Sequence, residues 1–442
     1  MSLKFLLIQL NEINFDLVDK YLSESKKNQY INLKKINHIF KCFNTYAENK
    51  YEELEPWIQW VSVNLGKDYD KHKIFRLGDI VNSTHEVQIY EIIEQRGFRV
   101  GAISPINTEN KLKNPLYFLP DPWTDTNSDS SNFSKRLSYM LKQSVNDNSS
   151  GKLSFKSISV IIEIIIKTFH FKKTFFLIQL IYSSLTKPWL KSLIFDYLIH
   201  LVHLYFIKKK NPNFSSIFFN GGAHIQHHYF FNTKYIKNLP KNPIWYIKQK
   251  ADPIEDMLKF YDKIIGDYLH FFQKNDKLMI ATGLRQVPYN MTKFYYRIKN
   301  HDQFLNKIGV NYSKVLPRMT RDFEIIFYNK KDLKSAKIIF QNIKTKKNNL
   351  EVFKEIEERD KSLFITLTHP NEIKKDDIIV INNKLELNFY KEIVFVAIKN
   401  GMHDSKGYVF CSPNLKLEFP SNPIKISKLH NIILSNFKDI SV

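Results

Sequence analysis

Short apolar runs alternate with amphipathic stretches over the first hundred residues of the chain. Residues 6–10 (LLIQL) predict a buried strand, and the following FDLVDKYL has the three- and four-residue apolar spacing of a helix. The stretch 87–97 is also amphipathic and ends at Gly97, a residue type favoured just past helix ends, before a second apolar run at 98–104. Strands and helices joined in this order by short connections predict a mainly parallel sheet.

The same pattern returns later in the chain. Apolar runs at 215–220 and 277–282 predict two further strands, and a long helix is predicted between them at about 253–273. The run EIVFVAI (392–398) predicts a last core strand. We expect all five strands to be neighbours in one mainly parallel sheet with helices on both faces, which is an α/β fold.

Two stretches depart from this core pattern. Residues 153–210 contain apolar helical runs studded with lysine, histidine and aromatic side chains. This suits either a helical insertion packed on the sheet or a basic amphipathic surface on anionic lipid, and Glu163 and Asp196 favour packing because they interrupt the apolar faces. Residues 300–390 hold the strand-like runs DFEIIFY, SLFITLT and DIIVIN between lysine-rich stretches, and they predict a smaller α+β subdomain.

These changes in composition predict a division of the chain. The predicted segments are 1–152 for the first part of the α/β core, 153–210 for the helical insertion, 211–299 for the second part of the core, 300–390 for the smaller α+β subdomain, and 391–442 for the last core strand and C-terminal tail.

Composition places the chain among ordinary globular proteins. Of its 442 residues 43% are hydrophobic and 25% charged, with no repeat of fixed period, which excludes collagen-like, solenoid and largely disordered classes. The two cysteines, Cys42 and Cys411, cannot form a disulfide framework and suit a reducing compartment. The apolar N-terminus lacks a small-residue cleavage site, and no stretch reaches the ~20 uninterrupted apolar residues of a membrane span. We therefore expect a cytoplasmic protein, with a peripheral position at the inner face of the membrane left open.

The formal net charge is +22. The lysines are spread along the chain rather than gathered in an arm, and the abundance of Lys, Asn, Ile and Phe is typical of an AT-rich genome. We therefore expect no nucleic-acid partner, but a general attraction to anionic groups such as nucleotide phosphates or acidic lipid.

Polar side chains that could carry chemistry follow several of the predicted strands. The candidates are Asn11, Glu12, Gln59, His224, His227, His228, Arg285, Gln286 and His403. In open α/β sheets ligands bind beyond the carboxyl ends of the strands. We therefore expect Asn11, Glu12, His227, Arg285, Gln286 and His403 to converge on one concave pocket, and Glu55 or Gln59 to reach it if the loop before them allows.

The segments that carry these residues resemble, in order, the type I phosphodiesterase and nucleotide pyrophosphatase branch of the alkaline phosphatase superfamily. LIQLNEIN is similar to the strand that ends Leu-Asp-Gly, and EPWIQWVSVNLGK to the segment that carries the nucleophile. FFNGGAHIQHHYFF resembles Asp-x-x-x-His, KLMIATGLRQVPY the strand that ends Thr-Ser-Asp-His-Gly, and KNGMHDSKGYVF the motif Gly-x-His-x-x-x-Gly. The resemblance covers about half the chain, and it requires 215–220 and 392–398 to share a sheet.

The resemblance implies a degenerate metal site. Members of the family use two metal ions, usually zinc, to clamp a phosphate while a Thr or Ser attacks it. Here the matching positions hold Asn11 for a ligand Asp, Pro56 for the nucleophile, Ala223 for a ligand Asp, Leu284 and Arg285 for an Asp and a His, and only His227 and His403 as in the motif. We therefore expect the paired metal site to be absent.

Three functions remain open, and the favoured one is a metal-independent transferase, a glycosyltransferase of bacterial surface-polysaccharide biosynthesis. Its substrate would be a nucleotide- or phosphate-activated sugar, and its acceptor a glycan or glycolipid. The predicted catalytic residues are Glu12, His227 and His403, with no cofactor. The predicted substrate-binding residues are Asn11, Gln59, His224, Arg285 and Gln286, with Arg285 facing the phosphate.

The two alternatives differ in their need for metal. One is a phosphodiesterase or phosphotransferase with relocated ligands, in which a single divalent metal is held by Glu12, His224, His227, His228 and His403. The other is a non-catalytic scaffold that binds a nucleotide or a glycan.

Overall fold

The structure of the protein, a computed structural model, describes residues 4–146, 154–272, 275–318, 321–417 and 422–438. The strands are β1 (Phe5–Leu10), β2 (Lys41–Tyr46), β3 (Val100–Ile103), β4 (Tyr117–Leu119), β5 (Phe214–Phe219), β6 (Lys277–Ala281), β7 (Arg285–Ile298), β8 (Lys314–Pro317), β9 (Asp322–Ile326), β10 (Ile343–Thr345), β11 (Glu355–Arg359), β12 (Ser362–Thr366), β13 (Ile378–Ile381), β14 (Leu385–Asn388), β15 (Ile393–Asp404), β16 (Lys406–Cys411) and β17 (Ile424–Lys425). The helices are α1 (Phe15–Glu24), α2 (Ile31–Ile39), α3 (Pro56–Leu65), α4 (Tyr69–His72), α5 (Ile89–Gln95), α6 (Asn132–Asn146), α7 (Phe155–Lys167), α8 (Phe171–Ser184), α9 (Leu190–Lys210), α10 (Gly221–Tyr229), α11 (Pro253–Phe271), α12 (His301–Lys307), α13 (Lys330–Gln341), α14 (Phe389–Glu392) and α15 (Leu429–Leu434).

An eight-stranded sheet forms the centre of the fold. Its strand order is β17-β2-β16-β6-β1-β5-β3-β4. Every neighbouring pair is parallel except those of β16, which runs antiparallel to both β2 and β6. The predicted α/β class with a mainly parallel sheet is therefore confirmed.

Helices cover both faces of this sheet, as two adjacent residues of β5 show. The hydroxyl of Ser216 bonds Tyr90 of α5 (3.1 Å), whereas the hydroxyl of Ser215 bonds His203 of α9 (2.7 Å). Because successive side chains of a strand point to opposite faces, α5 and α9 lie on opposite sides of the sheet.

Four of the five strands predicted for the sheet are confirmed as β1, β3, β5 and β6, and the fifth prediction is wrong. Residues 392–398 lie in β15, which pairs with β7 in a separate two-stranded sheet, so they do not share a sheet with β5. The place beside β6 belongs to β16, the next strand along the chain. β16 is buried from Gly407 to Cys411, whereas β15 has an exposed Val394 and several half-buried positions, as expected of a strand outside the core.

The chain divides into two compact units. The first consists of 1–239, 248–288 and 401–442, and the second of 240–247 and 289–400. The second unit contains an antiparallel sheet of order β11-β12-β9-β8 and another of order β10-β13-β14. Its core is apolar, with buried side chains from both sheets and from α13. The three strand-like runs of the predicted α+β subdomain correspond to β9, β12 and β13.

Helix α9 has the length and apolar composition of a membrane span, but 67% of its most apolar stretch is buried within the protein, as in a core helix. Two of its histidines have buried polar partners. His200 Nε2 lies 3.0 Å from the Asp267 carboxylate, and His203 bonds both the Tyr268 hydroxyl and the Ser215 hydroxyl at 2.7 Å. Packing on the sheet, which the sequence favoured for this segment, therefore describes α9.

The Tyr117 ring of β4 lies so close to Gly101 of β3 that a larger residue at position 101 should destabilise the fold. A Cβ at this position would lie 2.2 Å from the ring of Tyr117, which is stacked on Phe206 at 4.8 Å and fixed by a hydroxyl bond to Ser215 (2.6 Å). We expect Gly101→Ala to lower the free energy of unfolding by about 1–3 kcal/mol, as overpacking does. Urea unfolding measures this, with the exposed Ser23→Ala as a control that changes it by less than about 0.5 kcal/mol. An unfolding free energy for Gly101→Ala equal to that of the parent would contradict the packing.

Candidate metal centre

The turn after β1 carries the first two residues of the site. The Asn11 backbone N–H donates to the Phe219 carbonyl at the end of β5 (3.1 Å), and the Glu12 N–H donates to the Thr282 carbonyl after β6 (3.0 Å). Glu12 has a φ of 61°, in the left-handed region that non-glycine residues rarely adopt. These bonds join the ends of three neighbouring parallel strands and place Asn11 and Glu12 at the carboxyl edge of the sheet.

Three side chains converge at this edge. Glu12 Oε2 lies 3.1 Å from His227 Nε2 and 3.2 Å from His403 Nε2, and the two Nε2 atoms are 3.3 Å apart. His227 belongs to α10, which follows β5, and His403 lies near the end of β15, just before β16. Among the residues that the structure describes, no other group of His, Cys, Asp and Glu side chains is arranged closely enough to hold an ion.

The Glu12 carboxylate is buried, with 2% of the residue exposed, and two side-chain amides hold it. Asn11 Nδ2 donates to Oε1 (2.9 Å), and Gln286 Nε2 donates to Oε2. Burial by itself would raise the pKa of Glu12, but His403 and His227 beside the carboxylate hold that pKa well below its usual range. The trio therefore contains an ionised carboxylate.

Uncharged amides form the frame around this carboxylate. Gln226 Nε2 donates to the Glu12 carbonyl (3.0 Å), and its Oε1 accepts from the Asn14 N–H (3.1 Å). Asn14 Nδ2 in turn donates to the Gln286 carbonyl (2.8 Å). These amide side chains carry no charge, so Glu12 is the acidic member of this hydrogen-bonded network.

The start of α10 is fixed by a second buried carboxylate. Asp196 of α9 accepts from the backbone N–H groups of Asn220 (3.2 Å) and Gly221 (2.9 Å) and from the Tyr261 hydroxyl (2.7 Å). Burial raises the pKa of Asp196 to about 7, against these three donors. Because α10 carries His227, Asp196 helps to set the position of that imidazole.

His403 has a second acidic neighbour. Its Nδ1 lies 3.6 Å from Glu55 Oε2, an ion-pair distance, while its Nε2 faces Glu12. Glu55 stands directly before Pro56, the first residue of α3, and so the segment that resembles the nucleophile-bearing one brings an acid to the site. A carboxylate on the outer nitrogen is typical of histidines that bind metal through the other nitrogen.

The two remaining histidines of α10 lie outside the trio. The His224 side chain is exposed, and its ring packs edge-on against that of His228 with 4.6 Å between centroids. Their four-residue spacing brings these two rings together, whereas the His227 ring, 6.1 Å from that of His228, directs its Nε2 at Glu12 and His403. Of the five ligands predicted for a relocated metal site, the structure therefore brings together Glu12, His227 and His403.

Gln59 is buried within α3, where its Nε2 donates to the Glu53 carbonyl (2.9 Å). This contact holds the turn before α3, and no described contact joins Gln59 to the trio. Its predicted contact with substrate stays a prediction.

Arg285 follows β6 as predicted, but its guanidinium already has partners. Nε donates to Asp404 (2.7 Å), and Nη1 donates to Asp16 and to the Tyr408 hydroxyl (3.0 Å). Two carboxylates balance the charge, so a phosphate would have to compete with them for this side chain. The predicted phosphate contact of Arg285 is untested.

Gln226 and Asn220 are the parts of the site that the sequence analysis did not single out. Gln226 stands next to His227 in the motif HIQHH, and Asn220 accepts from Asn11 Nδ2 (2.9 Å) at the end of β5. Asn220 ends the predicted strand 215–220, and this was the available signal for it; Gln226 lies further on, in α10. The roles of the convergent residues stay predictions.

No protein-family model matches this chain, and no curated protein matches it. Solved structures do match. Phosphonoacetate hydrolase from Sinorhizobium meliloti 1021, in complex with phosphonoformate, is 8% identical with a TM-score of 0.41, over 98% of this chain and 96% of that chain. A Mg-bound variant of TAB5 alkaline phosphatase, from an Antarctic bacterium, is 8% identical with a TM-score of 0.40, over 99% and 98%. Human ectonucleotide pyrophosphatase/phosphodiesterase 5 is 13% identical with a TM-score of 0.40, over 99% and 96%.

An alkaline phosphatase and a nucleotide pyrophosphatase/phosphodiesterase, the two kinds of protein that the motifs resemble, are thus among the structures that match. The requirement that residues 215–220 and 392–398 share a sheet is not met, because 393–398 belong to β15. Likeness at these identities and TM-scores supports no inference about activity, which must therefore come from the site itself.

The low pKa of Glu12 links the site to acid stability. A carboxyl whose pKa is lower in the folded state contributes stability above its unfolded pKa, and that stability is lost as pH falls through the folded pKa. Between about pH 5 and pH 3 the unfolding free energy of the parent should therefore fall more steeply than that of Glu12→Gln. Urea unfolding of the chelator-treated proteins measures this. Parallel curves would show that the folded protein does not hold Glu12 ionised.

Proposed function

We propose that the protein is a metal-dependent enzyme of phosphoester hydrolysis or transfer, with one divalent cation held by Glu12, His227 and His403. The observation that carries this proposal is the spacing of the three ligand atoms, 3.1–3.3 Å. Tetrahedral ligands bound to zinc at about 2.0–2.1 Å stand about 3.3 Å apart. The three atoms thus have the mutual spacing of a zinc ligand set, and two His with one Glu is typical of catalytic rather than structural zinc.

The charges and protons around the trio also suit a cation. Glu12 is ionised, as a ligand must be, and the amides of Asn11 and Gln286 fix its orientation. The negative charge of Glu55, 3.6 Å from His403 Nδ1, would favour a proton on that nitrogen when Nε2 binds the ion.

A divalent cation in this position would polarise a phosphoryl oxygen and lower the pKa of a bound water. The chain's own residues would bind and orient it: Glu12 neutralises part of its charge, and Asp196 holds the helix that carries His227. The phosphate class of the substrate rests on the motif resemblance and on the net charge of +22.

The metal-independent transferase favoured by the sequence would use Glu12 or a histidine as a general base. A general base works best when its pKa lies near the operating pH. The Glu12 pKa is instead held well below its usual range, and the carboxylate is buried beside two imidazoles. A buried carboxylate with so low a pKa suits Glu12 to binding a metal ion better than to acting as a general base. Glycosyl transfer and the scaffold hypothesis are separated from the proposed function by the two experiments that follow.

Metal content tests the ligand set. Protein stripped with a chelator and reloaded with Zn²⁺ should keep one ion per chain after gel filtration, as measured by elemental analysis. His403→Ala removes one ligand and should weaken Zn²⁺ binding by at least roughly tenfold. His224→Ala is the matched control, because its exposed ring lies outside the trio. Two ions per chain would show that a paired site persists, and none would overturn the proposal.

Activity tests the reaction class. The reloaded protein should hydrolyse bis(p-nitrophenyl) phosphate or p-nitrophenyl phosphate, and the chelator should abolish this. Glu12→Gln should lower kcat/KM by at least roughly tenfold through loss of the ion, whereas the exposed Glu52→Gln should match the parent. Turnover of a nucleotide sugar by chelated protein, without phosphoester hydrolysis, would instead establish the metal-independent transferase.

A further inference from the structure

Helix α7 is apolar on two opposite sides. Val160 and Ile164 are buried, and on this side α7 packs against α6 and α9. The opposite side carries Phe155, Ile162 and Ile166, which are 92%, 52% and 70% exposed. Their seven- and four-residue spacing places them in one stripe along the helix.

Helix α8 repeats this arrangement after a link of three residues. Leu177 and Leu180 are buried on the side that packs against α9. Phe171, Phe175 and Tyr182 on the other side are 76%, 61% and 75% exposed.

We name the two exposed stripes and the link between them the hairpin surface. It consists of Phe155, Ile158, Ile162, Ile166, Phe169, Phe171, Phe175, Ile178, Tyr182 and Leu185. A soluble monomer rarely exposes so many large apolar side chains together, so the hairpin surface is expected to have a partner.

The charges around the hairpin surface are nearly all positive. Residues 154–189 contain five lysines and one acid, Glu163, which is bound by Arg136 of α6 (2.7 Å). Two of the lysines, Lys173 and Lys187, pair with Asp267 and Asp256 of α11 and so fix α8 to the body of the protein. The other three, Lys156, Lys167 and Lys172, are exposed, and Lys167 also lies 3.7 Å from Glu163.

A basic cleft lies at the end of α7, next to this surface. It has a volume of about 290 Å³, and its lining includes Lys167, Lys209 and Lys210 together with Tyr205. Asp129 is the one acid in the lining, so cations outnumber anions. Lys167 directly follows Ile166 of the hairpin surface, which places this positive charge at the rim of the apolar stripe.

We propose that the hairpin surface lies in the interface of a bilayer that contains anionic lipid. Exposed Phe, Ile and Tyr side chains bordered by lysines are the composition of helices that lie in the plane of a membrane surface, and each lysine near an anionic surface adds to binding. A second copy of the chain would bring the same excess of lysines and repel the first, which favours lipid as the occupant. The proposal concerns a surface apart from the metal centre and does not depend on the proposed function.

Co-sedimentation with vesicles tests this proposal. The full chain should bind vesicles of phosphatidylcholine with phosphatidylglycerol, and bind vesicles of phosphatidylcholine alone much less. The triple variant Phe169→Ser, Phe171→Ser and Phe175→Ser should reduce the partition coefficient by at least roughly tenfold, because each aromatic ring contributes apolar area to the interface.

The matched control for the aromatic variant is Ile244→Ser, Tyr328→Ser and Ile338→Ser, which removes equally exposed apolar side chains from the other unit. It should bind vesicles like the parent. Because all six side chains are exposed, thermal unfolding by circular dichroism should give both variants the Tm of the parent.

A separate variant tests the contribution of the exposed lysines to vesicle binding. Lys156→Gln with Lys172→Gln should weaken binding by roughly fivefold for each charge removed. Lys347→Gln with Lys375→Gln removes the same charge from exposed positions elsewhere and should have little effect.

Three outcomes would overturn the proposal. The first is no sedimentation with anionic vesicles, and the second is equal binding to both vesicle types. The third is a dimer in gel filtration that the triple aromatic variant converts to a monomer, which would assign the hairpin surface to a second copy of the chain.

Discussion

An ionised carboxylate buried at the end of β1 is the constraint on which the candidate site depends. A buried charge without partners is costly, so the fold must supply donors for Glu12 from every side. It does so with two amides on the carboxylate and two imidazoles facing it. The Glu12 backbone, in a left-handed conformation, ties the end of β6 to β1, and the Asn11 backbone ties the end of β5 to it. Removing that charge would leave the donors without their common acceptor.

The positive charge that this site could hold is limited, because the side chains bonded to Glu12 are uncharged amides rather than carboxylates. In the motifs that the chain resembles, carboxylates occupy several of the positions that here carry Asn11, Ala223 and Leu284. With Glu12 as the one acid in the trio and two neutral imidazoles, a divalent cation would keep a net positive charge, which could attract an anionic substrate. A second divalent cation nearby would be strongly repelled by the first, and Asn11, Ala223 and Leu284 offer it no carboxylate.

Much of the core could be predicted from the sequence, because parallel strands buried on both faces appear as continuous apolar runs. This is why β1, β3, β5 and β6 were predicted. EIVFVAI was predicted as the last core strand, but the strand beside β6 is KGYVFC of β16, so an apolar run does not by itself show which sheet a strand joins.

The candidate site was predictable only where a side chain follows a strand. Glu12 and His227 follow β1 and β5, whose carboxyl ends lie side by side. His403 joins them because it stands just before β16, which is antiparallel to β6 and so begins at the same edge. The separation of His227 from His224 and His228 depends on the rotation of α10, and the approach of Glu55 depends on a turn with no apolar periodicity. The exposed stripes of α7 and α8 could not be predicted either, because the sequence of a helix that is apolar on two sides does not show which side is buried.

Because the chain is synthesised from its N-terminus, α9 is made before most of the residues that contact its buried polar side chains. The side-chain partners of its buried Asp196, His200 and His203 lie later in the chain than the helix itself; they are Ser215, Tyr261, Asp267 and Tyr268. During translation, α9, which has the length and apolar composition of a membrane span, therefore leaves the ribosome before the residues that hold it in the core have been synthesised. Until α11 emerges, His200, His203 and Asp196 are what make insertion of the nascent helix into a bilayer unfavourable. The polar residues that anchor α9 in the finished protein would thus also keep it out of the membrane during translation.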